Sequence, residues 1–309
     1  MSLFDVPQQE VRHSGKRARS LRDYEWRDVG VFVVVHVLAI VGLFLDVSWQ
    51  VWALCAAMYF VRMFAITGFY HRYFAHRTFK TSRWMQFIMA FVAETSLQRG
   101  VLWWAAHHRD HHKFSDTPRD AHSPVVNGFW YSHVGWFYDQ NGDTNYARVK
   151  DLSRFPELVA LNKLWLLPPV LVAVACLVFG GLPGLFIGFF FSTVLAWHVT
   201  FMINSLAHVW GARPYETTDD SRNNWVLALL TLGEGWHNNH HHFMNSTRQG
   251  FRWWEIDVTY YILKAMSWVG LVWDLKEPPA RIVAGTAKAK ARARAEELHP
   301  ESQTVQPAA

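Results

Sequence analysis

The chain has 309 residues, enough for one large domain, and is 51% hydrophobic with 22 Phe, 17 Trp and 10 Tyr. Its apolar residues gather in runs instead of recurring with a soluble helix's period, which excludes an ordinary soluble globule and marks a membrane composition. The net charge of +5 collects near the two ends and beside the apolar runs, a placement that fits anionic lipid and argues against nucleic acid.

Residues 1–28 read as a polar, largely disordered lead with six basic residues, Arg12, Lys16, Arg17, Arg19, Arg22 and Arg27. No apolar segment with a small-residue cleavage site follows a short basic start, so no secretory signal is expected. Val29 to Leu45 is the first apolar run, and at ~1.5 Å per residue it approaches the ~30 Å hydrocarbon core. Asp46-Val47-Ser48 turns the chain and Trp49 to Gly68 runs back, with Trp49 and Trp52 placed as an interface belt and Arg62 where it can snorkel. Cys55 and Cys176 both lie inside apolar runs and read as packing residues.

The second run leads directly into His71 and His76. Five residues separate them, about 140° apart on a regular helix, so one must sit on a bent or terminating turn. Trp84 to Leu97 is too short and too polar to span and reads as a buried or interfacial helix. The central stretch His108-Arg109-Asp110-His111-His112 follows. On a helix its three histidines point at a common spot while Arg109 and Asp110 turn away. Residues 115–162, polar, turn-rich and aromatic, read as part of a folded cap. A second apolar pair, Leu164 to Gly180 and Leu182 to Ile203, is joined through Gly180-Gly181-Leu182-Pro183-Gly184, with Pro168 and Pro169 expected to kink its first arm. It ends in Asn204 and His208. A short helix from Asn223 to Leu232 reaches His237-Asn238-Asn239-His240-His241, which repeats the central spacing. Phe251 to Asp274 reads as an amphipathic surface helix, and the basic tail from residue 279 as largely disordered.

The expected architecture is all-α and integral to a membrane. Four transmembrane helices, about 29–45, 49–68, 164–180 and 182–203, carry a helical cap formed by 69–163 and 204–278. The basic lead places both termini in the cytosol by the positive-inside bias, at a bacterial inner membrane. An even number of spans then brings His71, His76, His108, His111, His112, His208, His237, His240 and His241 to one side. Nine imidazoles exceed what one metal takes, so two metals are expected. The accessible substrate at a membrane face is an acyl chain. Its methylenes have no acidic proton, and activated oxygen on a redox metal is what breaks such bonds, which makes iron, as two Fe2+, the economical choice. A di-iron hydroxylase and a non-catalytic membrane metal sensor or carrier are the competing readings. Of the other histidines, His107 and His242 adjoin the clusters outside the repeated spacing, His122 and His133 read as structural in the cap, and His36 and His198 as satisfied interior groups. Glu234 reads equally as a support for a ligand and as a helix-end residue.

Several stretches together resemble the membrane-bound fatty acyl desaturases of the stearoyl-CoA (delta-9) desaturase family, from about Gly68 to Asp274. They are His71-Arg72-Tyr73-Phe74-Ala75-His76-Arg77-Thr78, the central cluster continued by Lys113-Phe114-Ser115-Asp116-Thr117, Ser132-His133-Val134-Gly135-Trp136, Asn204 to His208 followed by Arg213-Pro214-Tyr215, and Gly233-Glu234-Gly235-Trp236 running into the last cluster. The resemblance implies a di-iron centre held by the nine histidines, with Asn204 contributing through a water. It also implies four membrane helices, and O2 with two electrons placing a cis double bond, most often at the ninth carbon of a saturated acyl-CoA. Animal members carry Arg-Asp just before the central cluster, where they contact the coenzyme A moiety; this chain has Ala106-His107, which leaves a phospholipid-bound or protein-carried chain open. Some members carry a fused cytochrome b5 domain, and the expectation here is a separate donor such as ferredoxin with a reductase.

Overall fold

A computed structural model describes residues 24–139 and 143–285. The expectations for the lead up to residue 23 and for the tail from residue 286 lie outside the described residues. Helix α1 (Trp26–Gly42) is followed by α2 (Trp49–Phe64). α2 does not stop at Gly68. Its hydrogen bonding widens to five residues per bond over Ala65–Ala75, an 11-residue π-helix in which His76 N donates to His71 O at 3.2 Å. This resolves the spacing of the first histidine pair, because an i→i+5 helix carries the fifth residue round to nearly the same face.

Next come β1 (Lys80–Thr81), α3 (Arg83–Glu94) and α4 (Val101–Phe114), then the short cap helices α5 (Pro124–Asn127), α6 (Phe129–His133), α7 (Lys150–Ser153) and α8 (Pro156–Lys163). α9 (Leu167–Pro183) passes through a π-helical stretch, Gly184–Phe191, into α10 (Ser192–Ser205). The chain closes with α11 (Trp225–Leu230), α12 (His237–His242), α13 (Val258–Trp268) and β2 (Val272–Trp273). β1 and β2 pair antiparallel, Lys80 opposite Trp273 and Thr81 opposite Val272, so the all-α expectation is corrected by this small clasp. α13 is also shorter than the amphipathic helix expected over 251–274, since residues before Val258 are turns held by the Asp257 carboxylate, which accepts from Gln249 N at 2.7 Å and Tyr260 N at 2.9 Å.

Two helical stretches, Trp49–Ala75 of 27 residues and Leu167–His208 of 42, are long and apolar enough to cross a membrane. The longer one is folded back on itself. Gly181 adopts φ 62° and ψ −159°, open to glycine and costly to other residues, and the two arms beyond it meet side to side. Pro168 and Pro169 do not kink the first arm: they lie in its first turn, where a missing N–H breaks no helical bond. A Cβ on Gly184 would stand 2.4 Å from the Cys176 carbonyl oxygen, so the hairpin closes only on a bare Cα. Alanine normally gains about 1 kcal/mol over glycine inside a helix. Gly184→Ala is expected to do the reverse and lower the unfolding midpoint in detergent, because backbone stands in the way; an unchanged or raised midpoint would refute the close approach. Cys55 and Cys176 are free and buried, as expected of packing residues.

Arg62 does not snorkel. It is fully buried between α2 and the second arm, donating to Phe189 O, Ser192 Oγ and Thr193 Oγ1 at 3.2, 2.9 and 2.7 Å. It therefore feeds a carbonyl of the π-helical stretch and pins the arm to α2. The cap core is built on the π-helix, with Tyr70, Tyr73 and Phe74 packed against Met89, Leu102 and Leu158. Arg109 ties α4 to the end of that π-helix by donating to Phe74 O and Ala75 O, and Asp110 pairs with Arg148 at 2.5 Å, so both turn away from the histidines as expected.

Candidate metal centre

The nine histidines converge from four helical ends, and they form two groups. His71, His76, His108, His112 and His240 make the first; His111, His208, His237 and His241 make the second. The expectation that each i, i+3, i+4 triplet aims at one spot is corrected. Residues 111 and 112 diverge by about 100° on α4, as do 240 and 241 on α12, so each helix feeds both groups. The groups adjoin, with ring centres of His111 and His112 5.5 Å apart and of His240 and His241 5.7 Å apart.

In the first group the Nε2 atoms face one another: 2.9 Å for His71 and His240, 2.9 Å for His240 and His112, 3.0 Å for His112 and His108, and 2.8 Å for His108 and His76. In the second, His208 and His237 Nε2 stand 3.1 Å apart. Imidazole nitrogens at ~2.1 Å from one ion and at right angles to each other lie about 3 Å apart, so this is the spacing of a ligand shell. Hydrogen bonding alone serves it poorly, since along this chain of rings a single Nε2–H would have to serve two neighbours at once. His241 Nε2 is buried with no hydrogen-bond partner, a cost that a metal ion removes. The donor set thus fits two metals that favour imidazole.

Four of the far ring nitrogens are held by carboxylates. Nδ1 of His71 donates to Glu234 at 2.5 Å, of His111 to Asp120 at 3.1 Å, of His208 to Asp116 at 2.9 Å and of His241 to Asp219 at 2.6 Å. Each carboxylate fixes the tautomer that leaves Nε2 bare toward the centre. Burial alone would raise the Asp116 carboxyl, but His208 and hydrogen bonds from Ser123 Oγ and Asp220 N bring it down to about 2. Asp120 and Asp219 are likewise held far below the usual carboxylate range, against their own burial, by their imidazole partners. Burial, then the mutual repulsion of neighbouring imidazolium charges, pushes His108, His112, His237 and His240 well below the ordinary histidine value. These rings are neutral at pH 7, the form that ligates. Asp219→Asn should keep the fold and weaken metal retention about 10- to 100-fold through His241. Metal content after dialysis against a chelator reads it, and wild-type retention would show that the carboxylate does not orient the ring.

Asn204 stands beside the first group. Its side chain lines a narrow cleft of about 60 Å3 that also borders His108, with Trp103, Trp104, Trp136, Trp197 and Phe201 on its walls. Trp104 stacks on His108 at 5.0 Å and on Tyr70 at 5.3 Å, making one body of cleft wall and histidine cluster. His107 and His242 stay outside the groups, stacked on Trp103 at 3.9 Å and on Tyr215 at 4.5 Å. His36, His198 and His133 form a satisfied interior chain with contacts of 3.0 and 3.1 Å. His122 lies 4.3 Å from His111 beside Asp120, and burial lowers it to about 3. Sequence reasoning missed the roles of Asp116, Asp120 and Asp219. The available signal was their position in polar connectors next to histidine clusters, where ligating imidazoles need acceptors.

The family model described as fatty acid desaturase matches residues 47–267. The acyl-CoA C20 Delta5-desaturase of Anemone leveillei is 36% identical over 285 residues, covering 88% of this chain and 90% of its own length. From Arabidopsis thaliana, the chloroplastic palmitoyl-monogalactosyldiacylglycerol delta-7 desaturase is 37% identical over 265 residues, with 83% of this chain and 71% of that protein covered. Delta-9 acyl-lipid desaturase 1 of the same plant is 36% identical over 277 residues, with 85% and 89% covered. The sequence expectation is met at the level of family: the chain is a membrane protein and an oxidoreductase of lipid metabolism, and it belongs to the fatty acid desaturase family.

Proposed function

We propose that the chain desaturates a saturated acyl chain of about 16 or 18 carbons, at the ninth carbon, with one iron held by His71, His76, His108, His112 and His240 and a second by His111, His208, His237 and His241. The observation that carries the reading is the pair of adjoining imidazole groups with facing Nε2 atoms beside an aromatic cleft. Asn204, on the cleft wall next to His108, keeps the water-mediated role that the resemblance implies. Bound there, two irons supply the oxidising power of O2, which with two electrons and two protons takes two hydrogens from neighbouring methylenes and leaves two waters. The cleft residues do the positioning: Trp104, Trp136, Trp197 and Phe201 exclude water and confine the chain against His108.

Four arms, α1, α2, α9 and α10, are proposed as the spans, leaving the histidines and both termini on the cytosolic side of the cell membrane. The bare apolar faces of α1 (Val33, Val34 and Val37, 50–55% exposed) and α9 (Val170, Val174 and Val178, 51–69% exposed) support this, as water would not tolerate them. The acyl carrier is proposed as coenzyme A, with electrons from a separate ferredoxin and its reductase. A lipid-linked chain is the second reading, favoured by one observation: His107 is stacked on Trp103 and Ala106 is fully buried, so neither offers a free charge to a phosphate.

Enzyme loaded with iron and supplied with ferredoxin, reductase and O2 decides between them. Conversion of palmitoyl- or stearoyl-CoA to the cis-9 product, with the bond placed by mass spectrometry, is the expected result. Activity only on chains esterified in phospholipid vesicles would move the carrier, a hydroxylated product would replace desaturase by hydroxylase, and no oxygen uptake with any acyl substrate would overturn the enzymatic reading.

A further inference from the structure

α11 and the turn that leads into α13 present an apolar face that no other described residue covers. Trp225, Leu229 and Leu230 on α11, Trp254 and Ile256 in the turn and Tyr261 on α13 are 41–65% exposed. The segment does not sit on the outer rim of the cap, because it leans on the flanks of two long helices. Tyr59 Oη of α2 donates to Leu230 O at 2.6 Å, and Leu232 packs with Met63 of α2 and Ala196 of α10. Thr259 N donates to Leu232 O at 2.8 Å, and the hydroxyls of Thr259 and Thr67 share a hydrogen bond at 2.7 Å.

α1 supplies a depth gauge. Asp28, in its first turn, pairs with Arg99, and the Arg99 carbonyl accepts from Tyr70 Oη at 2.7 Å, so the start of α1 stands level with the residues just before His71. Phe32, one turn inward, stacks on Trp197 at 5.5 Å. Ala196, next to Trp197 and packed with Met63 and Leu232, therefore stands beside the part of α1 that carries Phe32, inward of Asp28. That level falls inside the stretch where α1 turns bare valines outward.

On the reading that the four arms span the bilayer, we propose that α11 and the turn from Trp254 to Tyr261 form a collar immersed in the cytosolic leaflet, with the lipid itself as its partner. Helices with an apolar face and flanking tryptophans and cations lie about 5–10 Å into the boundary between head groups and acyl chains. The tryptophan rings suit the ester level, and Leu229 and Leu230 the first methylenes. The Arg252 guanidinium lies 5.2 Å over Trp254, a cation at the edge of the apolar face, and Lys264 on α13 is half exposed with Glu277 3.9 Å away. Lipid is favoured over a protein partner because the bare surface continues from α11 onto the flank of α2 through Phe60 and Val61, which are 44% and 46% exposed.

The test uses the full chain in phosphatidylcholine vesicles containing some phosphatidylglycerol, with Cys55 and Cys176 replaced by alanine and a nitroxide placed singly at Leu229→Cys, at Val34→Cys in α1, or at Lys150→Cys in the cap. Accessibility to dissolved oxygen, which concentrates in lipid, is compared with accessibility to a water-soluble nickel chelate. Leu229 is expected to resemble Val34, with an oxygen-to-nickel ratio severalfold above that of Lys150. A nickel-accessible label at Leu229 with an oxygen-accessible label at Val34 overturns the collar and leaves the four-arm reading standing. A Leu229 label shielded from both reagents overturns it in favour of a covering protein surface. Nickel access at Val34 overturns both readings together.

Discussion

Replacing His112 by alanine is expected to abolish desaturation while the chain still inserts and folds. His112 Nε2 stands between His108 and His240, at 3.0 and 2.9 Å, so its loss opens the middle of the first group. Removing an outer carboxylate from a ligating histidine costs 10- to 100-fold, and removing the imidazole should cost at least about 100-fold in turnover. Bound iron should fall from about two per chain toward one, because the second group draws on other residues. His242→Ala is the matched control, since that ring lies on Tyr215 outside both groups and its loss should leave turnover near wild type. Full activity in iron-loaded His112→Ala protein would sink the assignment of the site.

Arg72→Met is expected to be the most destabilising single change in the cap. The guanidinium is fully buried and donates to Glu234 at 3.0 Å, to Asp257 at 2.9 Å and to Thr247 O at 2.8 Å. Methionine of similar length fills the space but leaves two carboxylates without their cation. Breaking a buried pair in this way costs about 3–5 kcal/mol. The loss is compounded because Glu234 also holds His71 and Asp257 also caps α13. Arg83→Met is the contrast: its pair with Glu157 is exposed on the arginine side, where water screens it and little stability rests on it. Equal unfolding midpoints for the two variants in detergent would show that the Arg72 network is not the keystone.

Much of this was legible in the sequence because each signal was local. The apolar runs, the turn at Gly181 and the histidine spacings announce themselves within a few residues. What stayed hidden was tertiary. The division of His111 from His112 depends on two centres flanking α4, which no single-helix argument supplies. The partners of Arg62 come from residues 189–193, some 130 positions away, so a cation at a helix end read as snorkelling when it is enclosed. The β1–β2 clasp joins Thr81 to Val272, and two-residue strands leave no periodicity to detect. The carboxylates behind the imidazoles lie in connectors whose path is set by the whole cap.

The π-helix between Ala65 and Ala75 makes chain length there a constrained quantity in its own right. Substitutions in this stretch trade one side chain for another, whereas loss of one residue shifts phase. Losing one position between His71 and His76 would rotate one against the other by nearly a quarter turn and carry Arg72 out of its cradle of carboxylates in the same stroke. The widened helix thus works as a vernier, setting the angle at which a long apolar rod delivers its two imidazoles. Variants of this chain should refuse indels here.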